Sequence, residues 1–264
     1  MSDVAGADWR HRPLQGVLNL RDFGGYGCGT GALPRGKLWR SGHMARATDA
    51  DLEALHALDI AIVVDLRSDP ERLEQPSRRH AAYAGRVIEA EGSQEAPPHE
   101  ASVATPGDVE PNDVRRHMMA AYRGMPWRPG MLDAYARTFE ALAEAPGPLL
   151  IHCAAGKDRT GVLAALLHHV AGVSDADVME DYLLTNRVQH PPERRAKFAR
   201  WMKQTYGSEP SDEAVQVALG VEPVFLETAW SEMRARHGSV DGYLEQALGV
   251  TPDRRRAVER WLLS

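Results

Sequence analysis

The densest concentration of reactive side chains in this 264-residue chain is His152-Cys153-Ala154-Ala155-Gly156-Lys157-Asp158-Arg159-Thr160-Gly161. The apolar run Leu149 to Ile151 precedes it, and Val162, Leu163, Leu166, Leu167 and Val170 follow at helical spacing. The segment is therefore expected to turn from a buried strand into a helix. A cysteine at the strand end and an arginine six positions later then meet at a helix N-terminus, where unpaired N–H groups and the helix dipole favour anions. Cysteines in that field have pKa values lowered into the ~3.5–7.5 range, so Cys153 is the candidate nucleophile. Arg159 supplies a planar fork for two oxygens of a phosphoryl group. Thr160 offers its hydroxyl to the departing thiolate, and backbone N–H groups from Ala154, Ala155, Gly156 and Lys157 through Arg159 complete an oxyanion cradle. His152, still in the strand, points away from Cys153 and is expected to orient the loop rather than act as a base. A merely structural cysteine would not call for Gly156, Lys157 and Arg159 in the same turn.

Two carboxylates compete for the role of general acid. Asp65 ends the apolar run Ile60 to Val64, and in a parallel sheet it emerges at the same C-terminal edge as Cys153. Asp158 lies inside the loop beside Arg159. Each has a bland alternative: Asp65 a salt bridge to Arg67 or Arg21, Asp158 a helix-start carboxylate. Lys157 adds a second cation that suits a multiply anionic substrate or pairs with a carboxylate. Gly27-Cys28-Gly29-Thr30-Gly31-Ala32 formally fits a dinucleotide pattern, but Pro34 and Gly36 stand where its helix should begin. A nucleotide P-loop fails as well, because Asp158 occupies the position that requires Ser or Thr. His168 and His169 have no partners at ligand spacing, so no metal site and no cofactor is expected.

The elements that must carry this loop read as α/β. Val17 to Leu20 is expected to be a strand, followed by the glycine-rich Gly24 to Gly36 and a return over Lys37 to Arg40 as a hairpin. Thr48 is a plausible N-cap for a helix carrying Leu52, Leu55 and Leu58. Ile60 to Val64 has the β-branched, continuous character of a strand buried on both faces. Ser68 with Glu71 forms a capping box, and Val87 with Ile88 suggests a further strand. Residues 89–112 hold four prolines and six acidic residues without Lys or Arg, which fits a solvated loop or a lid over the site. Leu132, Tyr135, Phe139 and Leu142 share one helical face. Helical patterns run from Arg159 onward, with a helical part from about 174. Within it, 193–203 sets Phe198, Trp201 and Met202 against basic residues, more the pattern of a packed amphipathic helix than of a membrane-surface one. Met118, Met119, Tyr122 and Met125 read as core. The expectation is one domain over residues 1–264, with a mostly parallel central sheet flanked by helices and a helix-rich C-terminal portion.

Composition narrows the partners. With 31 Lys and Arg against 37 Asp and Glu, the formal charge of −6 argues against nucleic acid. Only Cys28 accompanies Cys153, which excludes a disulfide framework and fits a reducing compartment. No stretch has the length of a membrane span or of a signal-peptide core, so a cytoplasmic protein without stable membrane insertion is expected, export without a cleaved signal being left open. Oligomeric state is not readable.

The loop matches the Cys-five-residues-Arg signature of cysteine-dependent phosphatases, and its form HCxxGKDRTG resembles the atypical bacterial tyrosine-phosphatase branch. Asn19-Leu20-Arg21-Asp22-Phe23-Gly24-Gly25-Tyr26, Leu38-Trp39-Arg40-Ser41-Gly42 and Val64-Asp65-Leu66-Arg67-Ser68 with Glu71 resemble that branch's other motifs, in order. The likeness runs from Val17 to the helix after Arg159. It implies a phosphomonoesterase working through a phosphocysteine intermediate on phosphotyrosine, phosphoserine or phosphothreonine proteins or on phosphoinositides. It also weighs toward Asp158 as the acid, with Asp65 orienting the loop or sharing the role. The rivals are a phosphate-binding module without turnover and an arsenate-type thiol reductase, for which Cys28 would have to be the resolving thiol.

Overall fold

The computed structural model describes residues 10–29, 31–93, 110–188 and 192–264. In chain order its elements are β1 (Arg21–Asp22), a hairpin of β2 (Gly27–Cys28) and β3 (Gly31–Ala32), β4 (Leu38–Ser41), α1 (Asp49–His56), β5 (Ile62–Asp65), α2 (Asp69–Glu74) and β6 (Arg86–Glu89). Then come α3 (Pro111–Gly124), α4 (Pro129–Glu144), β7 (Leu149–His152) and α5 (Asp158–Ala171). The C-terminal portion is helical: α6 (Asp175–Leu183), α7 (Pro192–Tyr206), α8 (Asp212–Leu219), α9 (Pro223–His237), α10 (Val240–Gln246) and α11 (Pro252–Leu263).

The central sheet has the order β1-β4-β7-β5-β6, with β4, β7, β5 and β6 parallel and β1 antiparallel at the edge. Its register brings Ser41, His152, Asp65 and Glu89 to one level at the C-terminal edge. The period-2 alternation of a strand explains how β5 and β7 are buried on both sides. Ile62, Val64, Leu149 and Ile151 face the larger core, whereas Val63 and Leu150 join Trp39, Leu52 and Leu55 under α1. The sheet is thus the α/β layer expected from the sequence.

Local signals start the helices. Thr48 accepts from the Asp51 N–H while Asp51 accepts from the Thr48 N–H, a reciprocal cap for α1. Tyr135, Phe139 and Leu142 of α4 are fully buried, with Leu132 half-buried beside them. Helix α5 departs from its one-faced pattern: every residue except His169 is buried. The C-terminal helices cover its far side, and the larger core runs without a break from sheet residues to Val178, Phe225, Leu244 and Leu262. Met118, Tyr122 and Met125 lie in the same core. Helix α7 buries Met202 and packs Phe198 and Trp201 on it.

One early assignment shifts along the chain. Val17 to Leu20 is not a strand, because Asn19 adopts φ 57°, a left-handed conformation that extended backbone cannot contain and that Asn tolerates. The strand is Arg21–Asp22. The return over Lys37 to Arg40 is present: β4 pairs antiparallel with β1, Arg21 opposite Arg40 and Asp22 opposite Trp39, and the glycine-rich segment between them carries a small hairpin of its own, β2 with β3. Most of the expected loop at 89–112 falls outside the described residues, Glu89 ending β6 and Pro111 opening α3. Among the described residues no helix is long and apolar enough to cross a membrane.

Candidate active site

The segment from Cys153 to Lys157 leaves the end of β7 and enters α5 at Asp158, at the C-terminal edge of the four parallel strands. Gly156 makes the tight turn possible. Its φ of +68° belongs to glycine, and a Cβ there would stand 2.4 Å from the Ser41 carbonyl. Among the described residues, the N–H groups of Ala154, Ala155, Gly156 and Lys157 donate to no backbone carbonyl. They are available to an anion at the start of a buried helix. Cys153 sits at the base of this loop with 2% of its surface exposed.

Arg159 is held in place by Glu71. Nη1 donates to Oε2 at 2.5 Å and Nη2 to Oε1 at 2.9 Å, while Nη1 also reaches the Leu66 carbonyl at 3.0 Å. Burial works against the guanidinium's charge, but the bonds to Glu71 and the neighbouring anionic groups more than offset it and raise its pKa. Glu71 in turn is pushed up by burial and down by more through Arg159, so it stays ionised. The Nε of Arg159 and the Oγ1 of Thr160 are buried without a protein partner. Two polar donors of this kind inside one anion-binding turn are costly unless an acceptor occupies the site.

The two candidate acids have different surroundings. Asp65 is fully buried and gripped by Arg67, whose Nη2 and Nε lie 2.7 and 2.9 Å from its oxygens. Burial raises its pKa, but His152 and the bonds and charge of Arg67 lower it to about 2. The salt bridge weighed against a catalytic role is therefore what surrounds this carboxylate. Arg67 also donates to the Gln75 carbonyl and the Ser77 hydroxyl, so Asp65 anchors the segment after β5. His152 stands 3.6 Å from Asp65, and burial drops its pKa to about 4, leaving a neutral imidazole at neutral pH. Asp158 accepts from the Tyr122 hydroxyl at 2.8 Å and from Lys157 Nζ at 3.0 Å, both on Oδ1. Lys157 also donates to the Gly220 carbonyl at 3.1 Å and is 2% exposed. Its ammonium is thus turned inward to a carboxylate.

Several side chains of the site carried no assigned role in the sequence. Glu71 read as a helix cap, and Tyr122 as core. Burial keeps the Tyr122 phenol protonated, as a donor to Asp158, with Tyr182 2.7 Å away on its other side. Asn19, Arg21 and Arg40 belong to the segments 19–26 and 38–42, and they meet the loop from below together with Asp181 of α6. Cys28 does not join them. It bridges to Val173, just beyond the far end of α5. At about 1.5 Å per residue the helix separates it from Cys153 by about 20 Å, against a disulfide limit of about 7 Å between Cα atoms. A resolving thiol is therefore not at hand, and the reductase alternative loses its second cysteine.

A model of the tyrosine phosphatase family matches residues 12–264. "Putative tyrosine-protein phosphatase H16_A0669" of Cupriavidus necator is 32% identical over 239 residues, covering 89% of this chain and 82% of that protein. The triple specificity protein phosphatase PtpB of Mycobacterium tuberculosis is 30% identical over 263 residues, covering 89% of this chain and 93% of its own. A tyrosine-protein phosphatase of Nostoc commune is 28% identical over 161 residues, 60% of this chain and 51% of that one. The chain belongs to the tyrosine phosphatase family.

Proposed function

We propose that this protein hydrolyses phosphomonoesters on protein side chains through a phosphocysteine intermediate. The observation that carries the reading is the pairing of Cys153, at the base of a loop of free N–H groups, with Arg159, whose fork is held by Glu71. The thiolate of Cys153 attacks phosphorus, the P–O bond to the leaving alcohol or phenol breaks, and the leaving oxygen takes a proton from Asp158. A water then attacks the thiophosphate, giving its proton to Asp158, and the S–P bond breaks to release phosphate and restore the thiolate. Arg159 and the loop N–H groups balance the charge on the equatorial oxygens as they move through the transition state. Thr160 Oγ1, buried and unpartnered, donates to the departing thiolate.

The acid role is assigned to Asp158 because it lies inside the loop beside Arg159, whereas both oxygens of Asp65 are clamped by Arg67. Both donors to Asp158 use Oδ1, which leaves Oδ2 for the leaving group. The Mycobacterium tuberculosis relative is named for triple specificity, which supports broad acceptance here, and we assign to this chain phosphotyrosine, phosphoserine and phosphothreonine. Protein esters are favoured over phosphoinositides because Lys157, the cation a second phosphate would meet, is engaged with Asp158 and Gly220.

The decisive assay measures p-nitrophenyl phosphate and the three phosphopeptide classes, with a phosphoinositide as comparison, in the presence of EDTA. Activity on the peptides that survives EDTA and disappears in Cys153→Ser is the expected result. Full activity of Cys153→Ser would overturn the mechanism, and a phosphoinositide turned over faster than every peptide would overturn the substrate class. Binding of phosphate without turnover in the intact protein would leave only the binding-module alternative.

A further inference from the structure

A loop that points its N–H groups at an anion must point its carbonyl groups the other way, and buried carbonyls need donors. The carbonyls of Ala154, Ala155, Gly156, Lys157 and Arg159 each have one. The Ala154 carbonyl accepts from the His43 N–H at 3.2 Å, and the Arg159 carbonyl from the Tyr135 hydroxyl at 3.3 Å. Asn19 Nδ2 reaches the Gly156 carbonyl at 2.9 Å and the Ala155 carbonyl at 3.5 Å. Arg40 Nη2 reaches the Gly156 and Lys157 carbonyls at 3.2 and 3.4 Å. We propose that Asn19 and Arg40, held by Arg21 and Asp181, are positioning residues that set the direction of the peptide dipoles in the phosphate loop and hence its affinity for an oxyanion. This rests on the reading of that loop as the phosphate site.

The supports are specific. Asn19 takes its left-handed backbone where β1 begins, and Arg21 Nη1 donates to its side-chain oxygen, which orients Nδ2 toward the loop. Asp181 accepts from Arg40 Nη1 at 2.6 Å and from Arg21 Nε at 3.4 Å, and Arg21 Nη2 also donates to the Asp181 carbonyl. Gly161 makes room for the Tyr182 ring, which a Cβ there would meet at 2.9 Å, while Arg40 Nη2 lies at an ordinary contact distance of 3.4 Å.

Charge separates this role from simple packing. Arg21 and Arg40 are 0% exposed and share the single carboxylate of Asp181, at 1%, so the brace carries an excess positive charge in a buried place. Such an excess is unfavourable for folding alone. An oxyanion above the loop, and the partial negative charge of the carbonyls below it, balance it. Removing Arg40 leaves Arg21 and Asp181 as a one-to-one pair, and the Gly156 and Lys157 carbonyls keep donors in Asn19 and the Gly161 N–H. A packing role therefore predicts little effect on function from Arg40→Met once the protein is folded. The positioning role predicts a specific loss of anion binding.

The test is tungstate binding by calorimetry in the Cys153→Ser protein, where turnover plays no part. Arg40→Met and Asn19→Gly are added singly, the latter keeping the left-handed backbone while deleting the amide. Tungstate affinity is expected to fall about tenfold to a hundredfold in each, the range for removing a partner that orients binding groups, with thermal midpoints within a few degrees of the parent. In the Cys153 background the same changes should lower kcat/KM by a similar factor, and Arg40→Lys should recover part of the loss. Unchanged tungstate affinity in both variants would overturn the brace. If Cys153→Ser binds no tungstate at all, the phosphate-site reading itself fails. Should Arg40→Met not fold, Asn19→Gly decides alone.

Discussion

Glu71 joins the first turn of α2 to the guanidinium of Arg159. Its Oε2 accepts from the Ser68 N–H at 2.8 Å, the Ser68 hydroxyl at 3.0 Å and Arg159 Nη1 at 2.5 Å, while Oε1 takes Arg159 Nη2. One carboxylate thus satisfies an orphan helix N–H and fixes the plane of the fork. The segment after β5, anchored by Asp65 and Arg67, is coupled in this way to the phosphate loop 88 residues later.

Weakening that joint should cost turnover more than folding. Glu71→Gln retains an acceptor and Glu71→Ala retains none, so kcat/KM should fall about tenfold in the first and about a hundredfold in the second, the size expected when a reacting group is misplaced by an ångström or so. Steady-state kinetics on p-nitrophenyl phosphate beside thermal melts would check this. Equal activity in all three proteins would mean that Arg159 needs no partner.

Arg159→Lys keeps the charge and loses the fork. An ammonium cannot hold two phosphoryl oxygens and Glu71 in one plane, so kcat should drop by about a hundredfold or more, as on removal of an oxyanion donor. Recovery of wild-type kcat in Arg159→Lys would show that charge alone suffices.

The acid assignment has a leaving-group signature. Asp158→Asn should slow alkyl phosphates far more than aryl phosphates, whose leaving groups need little protonation, and flatten the basic limb of the pH profile. Asp65→Asn should instead lower stability by about 3–5 kcal/mol by leaving Arg67 buried and unpaired, with the leaving-group dependence intact. The reverse pattern would exchange the two roles.

Acid should destabilise the protein in two stages. His152 has an ordinary pKa of 6.5 and a folded one of about 4. Between those values the unfolded chain binds a proton that the folded one refuses, and stability falls as pH drops through the window. His168, lowered by burial, acts in the same direction. Asp65 and Asp181, lowered from 3.8 to about 2, lose their contribution as pH falls below 3.8. Thermal midpoints should therefore be level above pH 6.5 and decline below it. The decline between 6.5 and 4 should be shallower in His152→Gln; parallel curves would remove His152 from the account.

Peroxide should inactivate the enzyme at Cys153, and tungstate or phosphate should protect it, because the sulfur is nearly buried and is approached through the loop rather than lying open. Peptide mass spectrometry should find no Cys28–Cys153 linkage within one chain. Its appearance would contradict the separation imposed by α5.

What the sequence determined by itself is local. The passage from β7 through the Cys153 loop into α5, the buried run at β5 and the reciprocal cap at Thr48 follow from periodicity and short spacings, each decided within a few residues of chain. Tertiary structure decided which distant groups complete the site. Glu71 meets Arg159, Tyr122 meets Asp158, and Arg40 meets Asp181 across 88, 36 and 141 residues. Those meetings depend on the strand order β1-β4-β7-β5-β6 and on C-terminal helices that cover the side of α5 away from the sheet. An apolar face written in the sequence states that something must cover it; only packing selects what does, because many apolar faces offer similar burial energy while a buried charge accepts few partners.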